Sequence, residues 1–276
     1  MKSLTKVMLK SFSAAARPYL RAYGLLQTTK VFNRSALVWD PGAEKIVVLA
    51  PHMDDEVIGC GGTLARHVAA GADITIVFLT DGRHGGKLSA EQLAAGVKLP
   101  ELRRREAAAA LAELNISKVV YLDAEDGQLE HDQAAAVRLR EVLLQLQPQI
   151  VYLPYFLEAH PDHTAASPLL EAATRDTALA FQVHSYEVWT PLFPNLFVRI
   201  DATVDIKRRA LEHYVSQLAE ASYIHTALGL NAYRSNAISD RECRFVEAFC
   251  AQSLSQYLDY YHHFATRPVA PEQITA

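Results

Sequence analysis

Short apolar runs alternate with amphipathic stretches from residue 46 onward. This alternation, broken by polar and glycine-containing turns, is typical of strands and helices that follow one another along a parallel sheet. The predicted strands are Ile46–Ala50, Asp73–Leu79, Lys118–Leu122, Gln149–Pro154, Gln182–Trp189 and Leu196–Ile200. The predicted helices are Val57–Gly71, Glu101–Leu114, His131–Leu146, Thr164–Thr174, Val204–Ala219 and Asp240–Ser253. The pattern therefore predicts the α/β class, a three-layer Rossmann-like sandwich with a mostly parallel central sheet.

The same pattern predicts how the chain is divided. No internal repeat or low-complexity linker appears after residue 40, so residues 41–276 are expected to form a single domain. A polar loop from about Asp81 to Pro100 is long for a connection, which marks it as either functional or mobile. Residues 1–40 are predicted to form a basic amphipathic arm, with apolar side chains at helical spacing and Pro18 to end or kink the helix.

The arm leaves two interpretations open. An amphipathic basic helix suits peripheral contact with an anionic membrane through residues 1–36. Alternatively, the arm packs on its own domain or on a sister subunit of a homo-oligomer. Arg17 and Arg21 interrupt any secretory signal, and no run approaches the roughly 18 apolar residues of a membrane span. The expected location is therefore cytoplasmic. If the arm contacts an anionic membrane, the protein is expected on the inner face of that membrane.

Charge is unevenly distributed along the chain. Residues 1–39 hold seven Lys and Arg residues and no acid, so the remainder accounts for −11 against the overall net charge of −4. Phosphate binding needs a basic face on the fold itself, and this body is acidic. Nucleic acid is therefore not an expected partner.

The cysteines indicate no disulfide framework. Cys60, Cys243 and Cys250 are odd in number, and the last two lie seven residues apart on a predicted helix. Buried free thiols in a reducing compartment are the interpretation that this spacing favours.

Candidate chemistry lies just after two of the predicted strands. Pro51-His52-Met53-Asp54-Asp55-Glu56 follows the first strand, and Glu158-Ala159-His160-Pro161-Asp162-His163 follows the fourth. Carboxyl ends of parallel strands meet at one edge of a sheet, so the two stretches can come together there. Adjacent acids repel one another unless a cation neutralises them, and the histidines make a divalent metal the first candidate.

The residue types in these stretches suit a hydrolytic zinc site. His52 and Asp55, with one imidazole from His160 or His163, form a three-ligand site that leaves one position open for water. Asp54 remains available as a general base, and the leftover histidine can protonate the leaving nitrogen or stabilise an oxyanion. Glu56, in the first turn of the next helix, needs no role beyond favouring the helix dipole.

Both stretches resemble the signatures of the PIG-L/LmbE-like family of zinc-dependent N-deacetylases. Further segments follow in the order in which the family has similar ones: Thr80-Asp81-Gly82, Arg103-Arg104-Arg105-Glu106, Asp126-Gly127-Gln128-Leu129, Lys207 to Gln217, and Glu247-Ala248-Phe249. The resemblance covers about residues 45–250. It implies an enzyme that removes acetyl groups from N-acetylglucosamine-type sugars in glycolipid, thiol-glycoside, chitooligosaccharide or antibiotic pathways.

The resemblance also assigns roles to residues. It implies that His52, Asp55 and His163 bind Zn²⁺, that Asp54 is the general base, and that His160 is the acid or oxyanion stabiliser. These five residues match the family's motifs position by position.

Two weaker assignments concern the substrate sugar. The resemblance implies that Arg103 and Asp126 contact it, although Arg104 or Arg105 can take the place of Arg103. Glu158 is an additional acid beside the second motif, expected either to support a ligand or to favour a cationic product.

The functional hypothesis is zinc-dependent N-deacetylation of an N-acetylglucosamine-type sugar in a glycolipid, polysaccharide or other glycoconjugate. One alternative keeps the zinc amidase but changes the substrate to a small thiol-glycoside, its conjugate or an acylated antibiotic, decided by loops near residues 83–100 and 190–196. Another is a non-catalytic sugar-binding relative, against which the intact Asp54 argues. Nucleotide binding at Gly59–Gly62 lacks the G-x-G-x-x-G spacing, and no G-x-S-x-G elbow is present.

Overall fold

The secondary structure alternates as the apolar pattern predicts. A computed structural model describes residues 37–265. Its strands are β1 Leu37–Val38, β2 Lys45–Ala50, β3 Asp73–Thr80, β4 Lys118–Ala124, β5 Ile150–Pro154, β6 Gln182–Tyr186, β7 Leu196–Arg199 and β8 Val246–Ser253. Its helices are α1 Asp55–Ala69, α2 Ala90–Ala94, α3 Leu99–Glu113, α4 Gln133–Leu146, α5 Pro161–Thr174, α6 Val204–Glu212, α7 Val215–Leu218, α8 Tyr223–Arg234 and α9 Leu254–Ala265.

The strands of the described chain form one sheet in the order β1-β7-β8-β6-β5-β2-β3-β4. Strands β4, β3, β2, β5 and β6 pair in parallel, whereas β8 runs antiparallel to both β6 and β7. From β2 the chain moves outward to β3 and β4, and it then returns to β5 on the other side of β2. The strand order thus reverses between β2 and β5, and ligands bind at the carboxyl ends of strands at such a point.

Successive residues of the central strands face opposite sides of the sheet. Val48 packs in one apolar cluster with helices α1, α3, α6 and α8. Its neighbours Val47 and Leu49 pack in the other cluster, with helices α4, α5 and α9. The sheet is therefore covered by helices on both faces, and the predicted three-layer, mostly parallel α/β fold is confirmed.

The predicted helix Asp240–Ser253 is wrong. Residues 246–253 form β8, which lies inside the sheet between β6 and β7. Both faces of this strand are covered, so five consecutive residues from Val246 to Cys250 are buried and the alternation that marks a half-exposed strand is missing. Cys243 and Cys250 therefore share no helix, but all three cysteines are free and buried, as expected.

Other boundaries differ in smaller ways. The predicted helix 204–219 is two helices, α6 and α7, interrupted at residues 213–214, and the predicted strand Gln182–Trp189 ends at Tyr186. Among residues 37–265 no helix is long and apolar enough to cross a membrane. The first 36 residues of the predicted arm lie outside the described residues, so the arm, its contacts and the 41–276 domain boundary stay predictions.

A buried histidine in the sheet makes stability depend on pH. His184, on β6, is 5% exposed and packs against the rings of Trp39 and Tyr152, with centroid distances of 5.3 and 5.1 Å. Burial lowers the pKa of His184 to about 3. The unfolded chain takes up a proton near pH 6.5 while the folded chain does not, so acid favours unfolding between these two values.

We expect the free energy of unfolding to fall by about 1.4 kcal/mol per pH unit from this group as pH drops below about 6.5. Urea unfolding of the wild type and of His184→Leu at pH 7.5 and pH 5 measures the effect. Other groups titrate in both proteins alike, so the difference between the two pH dependences isolates His184. Parallel pH dependences in the two proteins would contradict the assignment.

Candidate metal centre

The turn after β2 holds the first motif in a fixed conformation. The hydroxyl and backbone N–H of Thr80, at the end of β3, donate to the carbonyl of Pro51 at 2.8 and 3.1 Å. The backbone N–H of His52 donates to Asp55 Oδ2 at 2.8 Å. Asp54, which lies between His52 and Asp55 in the chain, has φ 150° and ψ −24°, a strained conformation for a residue other than glycine. Such strain occurs mainly at functional sites, where the surroundings enforce it.

Three ligand atoms form a compact triangle at the reversal of strand order. His52 Nδ1 lies 3.4 Å from Asp55 Oδ2, which lies 3.2 Å from His163 Nε2, and the two ring nitrogens are 3.3 Å apart. Two ligands bound tetrahedrally at about 2.0–2.1 Å from zinc would themselves be roughly 3.3–3.4 Å apart. All three side chains are buried, at 8%, 3% and 0% exposure. The donor set therefore fits a small divalent ion with an open fourth position.

A looser arrangement uses the other histidine of the second motif. Ligand atoms of His52, His160 and His163 also lie within 4.8 Å of one another. Both sets share His52 and His163, so they differ only in whether Asp55 or His160 is the third ligand. The shorter distances favour Asp55, which leaves His160 for another role.

Two carboxylates orient His52 from behind. Its Nε2 lies 3.1 Å from Asp162 Oδ2 and 3.3 Å from Asp126 Oδ1. A proton on Nε2 satisfies these acceptors and leaves the Nδ1 lone pair facing the triangle, the arrangement common around metal-binding histidines. Burial lowers the pKa of His52, but the bonds to Asp126, Asp162 and Asp55 outweigh burial and raise it well above its ordinary value. Asp162 had no predicted role, although it stands between the two motif histidines.

Asp54 lies beside the triangle and carries the properties of a base. Its carboxylate is buried, and Oδ1 lies 3.3 Å from Arg103 Nη2. Burial raises the pKa of Asp54 to about 7, although the charge of Arg103 opposes this rise. A carboxyl group whose pKa lies near neutrality is well matched to general-base work.

The structure places the two predicted sugar contacts at the site, where most of their polar atoms have protein partners, although the buried Nε of Arg103 has none among the described residues. Arg103, 2% exposed, donates to Asp54 and to the carbonyls of Met53, Gly82 and Gly85. Neighbouring Arg104 instead pairs with an exposed acid and lies over a tyrosine ring, and of Arg103, Arg104 and Arg105 only Arg103 lines the cavity.

The Asp126 carboxylate is divided between two partners. Oδ1 faces His52, and Oδ2 accepts the backbone N–H of His84 at 3.0 Å. Asp126 therefore contacts one residue of the candidate metal triangle directly. The roles of Arg103 and Asp126 as substrate contacts stay predictions.

His160 sits at the edge of the triangle, half-buried. Its Nδ1 accepts the backbone N–H of Asp162 at 3.2 Å, which places the ring proton on Nε2. Burial and the charge of His52 lower the pKa of His160. The ring centroid is 4.7 Å from that of His52, so a neutral N–H donor stands next to the ligands.

Glu56 does more than begin a helix. It is completely buried; Oε2 accepts the backbone N–H of Asp54 at 3.2 Å, and Oε1 accepts the hydroxyl of Tyr214. Burial raises the pKa of Glu56 to about 8. Glu56 thus helps to hold Asp54 in its strained conformation. This role could not be predicted from the sequence, because Tyr214, the other partner of the Glu56 carboxylate, is distant in sequence.

A buried ion pair fixes the helix that follows the first motif. Helix α1 is interrupted at Cys60, which has φ −143° and ψ 15°. The Glu247 carboxylate accepts the N–H groups of residues 62–63 at 2.9 and 2.7 Å, and Lys207 Nζ donates to the carbonyl of Ile58 at 2.8 Å. Lys207 and Glu247 are 2.7 Å apart and fully buried. The pair therefore satisfies both helix ends created by the kink.

The site opens into a cavity of about 230 Å³. All seven predicted site residues line it, together with Ile58, His84, Gly85, Trp189, Gln217, Glu220 and Tyr223. A larger cavity of about 690 Å³ lies at the opposite edge of the sheet, near the start of β6, and contains none of these residues.

Comparison with known proteins identifies relatives of this chain. Residues 47–174 match the model of the PIG-L family, described as GlcNAc-PI de-N-acetylase. Diacetylchitobiose deacetylase of Thermococcus kodakarensis is 32% identical over 199 residues, 64% of this chain and 71% of the relative. The 1D-myo-inositol 2-acetamido-2-deoxy-alpha-D-glucopyranoside deacetylase of Rhodococcus erythropolis is 31% identical over 176 residues, 55% of this chain and 60% of the relative.

A solved structure agrees with these sequence matches. A conserved protein of Thermus thermophilus superposes with a TM-score of 0.64 at 31% identity, covering 75% of this chain and 93% of its own. The expected resemblance is thereby confirmed. The chain belongs to the PIG-L family.

Proposed function

We propose that the protein is a zinc-dependent N-deacetylase that removes the acetyl group from an N-acetylglucosamine-type sugar. The observation that carries this proposal is the triangle of His52, Asp55 and His163 with the spare carboxylate of Asp54 beside it. The deacetylases among its relatives support the same class of reaction. A sugar-binding protein without catalysis would have no use for a strained, buried acid next to a metal site.

The donor set supports zinc in particular. Two imidazoles and one carboxylate are a ligand set found in catalytic zinc sites, where the fourth position stays open. When bound there, zinc supplies Lewis-acid chemistry, polarising the acetyl carbonyl and acidifying a water molecule. Asp126 and Asp162 hold His52 in the tautomer that this binding needs.

The chain's own residues perform the proton transfers. Asp54 takes a proton from a water molecule while the oxygen of that water adds to the acetyl carbonyl. The Nε2–H of His160 donates a hydrogen bond to the oxyanion, and the protonated Asp54 passes the proton that it took from water to the leaving nitrogen. The C–N bond then breaks, and acetate and a free amino sugar are released. Arg103 holds the Asp54 carboxylate in place for this step.

The alternative substrates keep the same reaction. A small thiol-glycoside, its conjugate or an acylated antibiotic would present the same N-acetyl amide to the same triangle. These substrates share the N-acetyl amide that reaches the triangle and differ in the group attached to the sugar. The residues at the opening of the cavity therefore have to distinguish among them. Membrane contact through residues 1–36 and assembly into a homo-oligomer also stay predictions.

Removal of the metal ligands tests the proposal. We expect Asp55→Ala to lose both bound zinc and, by roughly a hundredfold or more, acetate release, because zinc supplies the Lewis-acid chemistry. Acetate release is measured on free, thiol-linked and lipid-linked N-acetylglucosaminides, and zinc content by elemental analysis. A chelator should abolish turnover by the wild type, and added zinc should restore it.

The control for this experiment is Asp205→Ala, which removes a carboxylate from the exposed face of α6. This variant should keep both zinc and activity. Full activity of the chelated wild type would overturn the metal dependence, and no acetate release from any of these sugars would overturn the substrate class.

A further inference from the structure

An aromatic wall borders one side of the cavity. Trp189 and Tyr223 meet edge to face, with ring centroids 5.4 Å apart and planes at 68°. Both residues line the cavity, yet Trp189 remains 49% exposed. A large aromatic ring held at the mouth of a polar cavity is typical of a surface that binds something apolar or flat.

The loop that carries Trp189 is fixed by hydrogen bonds to a buried carboxylate. The carboxylate of Glu158 accepts the three consecutive backbone N–H groups of residues 188–190 at 2.8 to 3.1 Å, and its side chain is fully buried. On the other side Glu187 pairs with Arg234 and accepts the N–H of Leu192 at 2.8 Å. The exposed ring is therefore presented by a preorganised loop, which lowers the entropic cost of binding.

The size of the cavity places a second ring outside it. At about 230 Å³ the cavity is smaller than the roughly 300–1,000 Å³ of sites that enclose a drug-sized ligand. It suits the single sugar unit whose amide must reach the triangle. Any unit attached to that sugar has to lie across the rim, where Trp189 is.

The charge of the lining limits what that unit can be. Among the described residues that line the cavity, Arg103 is the only lysine or arginine, and its Nη1 and Nη2 donate to Asp54 and to backbone carbonyls. The exposed Glu220 adds a negative charge beside the aromatic wall. A phosphate or carboxylate would find no free lysine or arginine among these described residues, whereas a neutral ring would meet no repulsion.

We propose that Trp189 is the platform of a second carbohydrate subsite, which takes a neutral pyranose ring linked to the N-acetylglucosamine unit. The C–H face of a pyranose packs on the face of an aromatic ring, and Tyr223 holds the edge of Trp189 in position. Glu158 acts as a positioning residue through the loop. This inference rests on the proposed deacetylation and narrows its substrates to neutral N-acetylated oligosaccharides.

Paired kinetics test the subsite. Zinc-loaded wild type, Trp189→Ala and Trp189→Phe are assayed with the methyl glycoside of N-acetylglucosamine and with N,N′-diacetylchitobiose. For Trp189→Ala we expect kcat/KM to fall about tenfold or more on the disaccharide, mainly through KM, and by less than about twofold on the monosaccharide. Trp189→Phe should retain most of the activity on both, and Tyr233→Ala, an exposed aromatic residue outside the cavity, should match the wild type.

A binding measurement separates this inference from the proposed reaction. Calorimetric titration of zinc-loaded Asp54→Asn with the disaccharide gives a Kd without turnover, and adding Trp189→Ala should raise that Kd about tenfold. If the wild type deacetylates neither sugar but Trp189→Ala still raises the Kd for the disaccharide, the proposed reaction is contradicted and the subsite is supported. Equal losses on both sugars, no loss on the disaccharide, or faster cleavage of a glycoside with an anionic aglycone would overturn the subsite.

Discussion

Replacing Asp54 by Asn is expected to lower kcat by about 10²–10⁴-fold without loss of bound metal, because a general base contributes a factor of this size and Asp54 is no member of the observed triangle. The substitution preserves the shape of the side chain and its contact with Arg103 through the amide oxygen. It removes the ability to take a proton, together with the negative charge that faces Arg103. Acetate release and zinc content, measured on the same preparation, give both quantities.

The matched control for Asp54→Asn is Asp123→Asn. Asp123 also has a positive φ, 54°, but lies at the end of β4, paired with Arg104 and outside the cavity lining. It should show unchanged turnover. A rate near that of the wild type for Asp54→Asn would remove Asp54 from the mechanism, and loss of zinc would make it a ligand instead.

The meeting of the two motifs could be predicted because it depends on a general property of parallel sheets. Residues 51–56 and 158–163 each follow a strand, and those strands, β2 and β5, are neighbours at the reversal of strand order. The pairing of ligands across more than a hundred residues of chain therefore required only the order of the strands. The division of roles among His52, Asp54 and Asp55 followed from the residue types, the resemblance chose His163 as the third ligand, and the distances agree with both.

The supporting contacts could not be predicted, because each joins distant segments of the chain. Asp162 reaches His52, Glu56 reaches Tyr214, and Glu158 reaches the loop of residues 188–190. A carboxylate in a motif looks the same in sequence whether it binds a metal, orients a ligand or holds a loop. Only the partner atoms distinguish these roles.

The error at β8 has a related cause. Residues 246–253 include Glu247 and two alanines, and these residue types favour helix over strand in local propensity. In the fold Glu247 is buried within a strand because Lys207 neutralises it. Tertiary pairing thus allowed a charged residue inside a buried strand, where local propensity gives no sign of it.

Removing one partner of this buried pair should have the largest effect on stability. We expect Lys207→Met to lower the free energy of unfolding by about 3–5 kcal/mol, because it leaves the Glu247 carboxylate buried without a cation. The double variant Lys207→Met, Glu247→Gln should recover part of that loss, since no unpaired charge remains. Urea unfolding of the chelated proteins measures these values without a contribution from bound metal.

The same pair should influence the metal site through helix α1. Glu247 holds the N–H groups that follow the kink at Cys60, and Asp55 begins the same helix. Lys207→Met should therefore weaken zinc binding as well as stability, although Lys207 contacts no ligand. Arg208→Met, which breaks an exposed pair with Asp205 one residue along α6, is the control and should change both far less. If the two variants lost equal stability, the buried pair would contribute no more than an exposed one, and the position of Asp55 would have to depend on the turn after β2 alone.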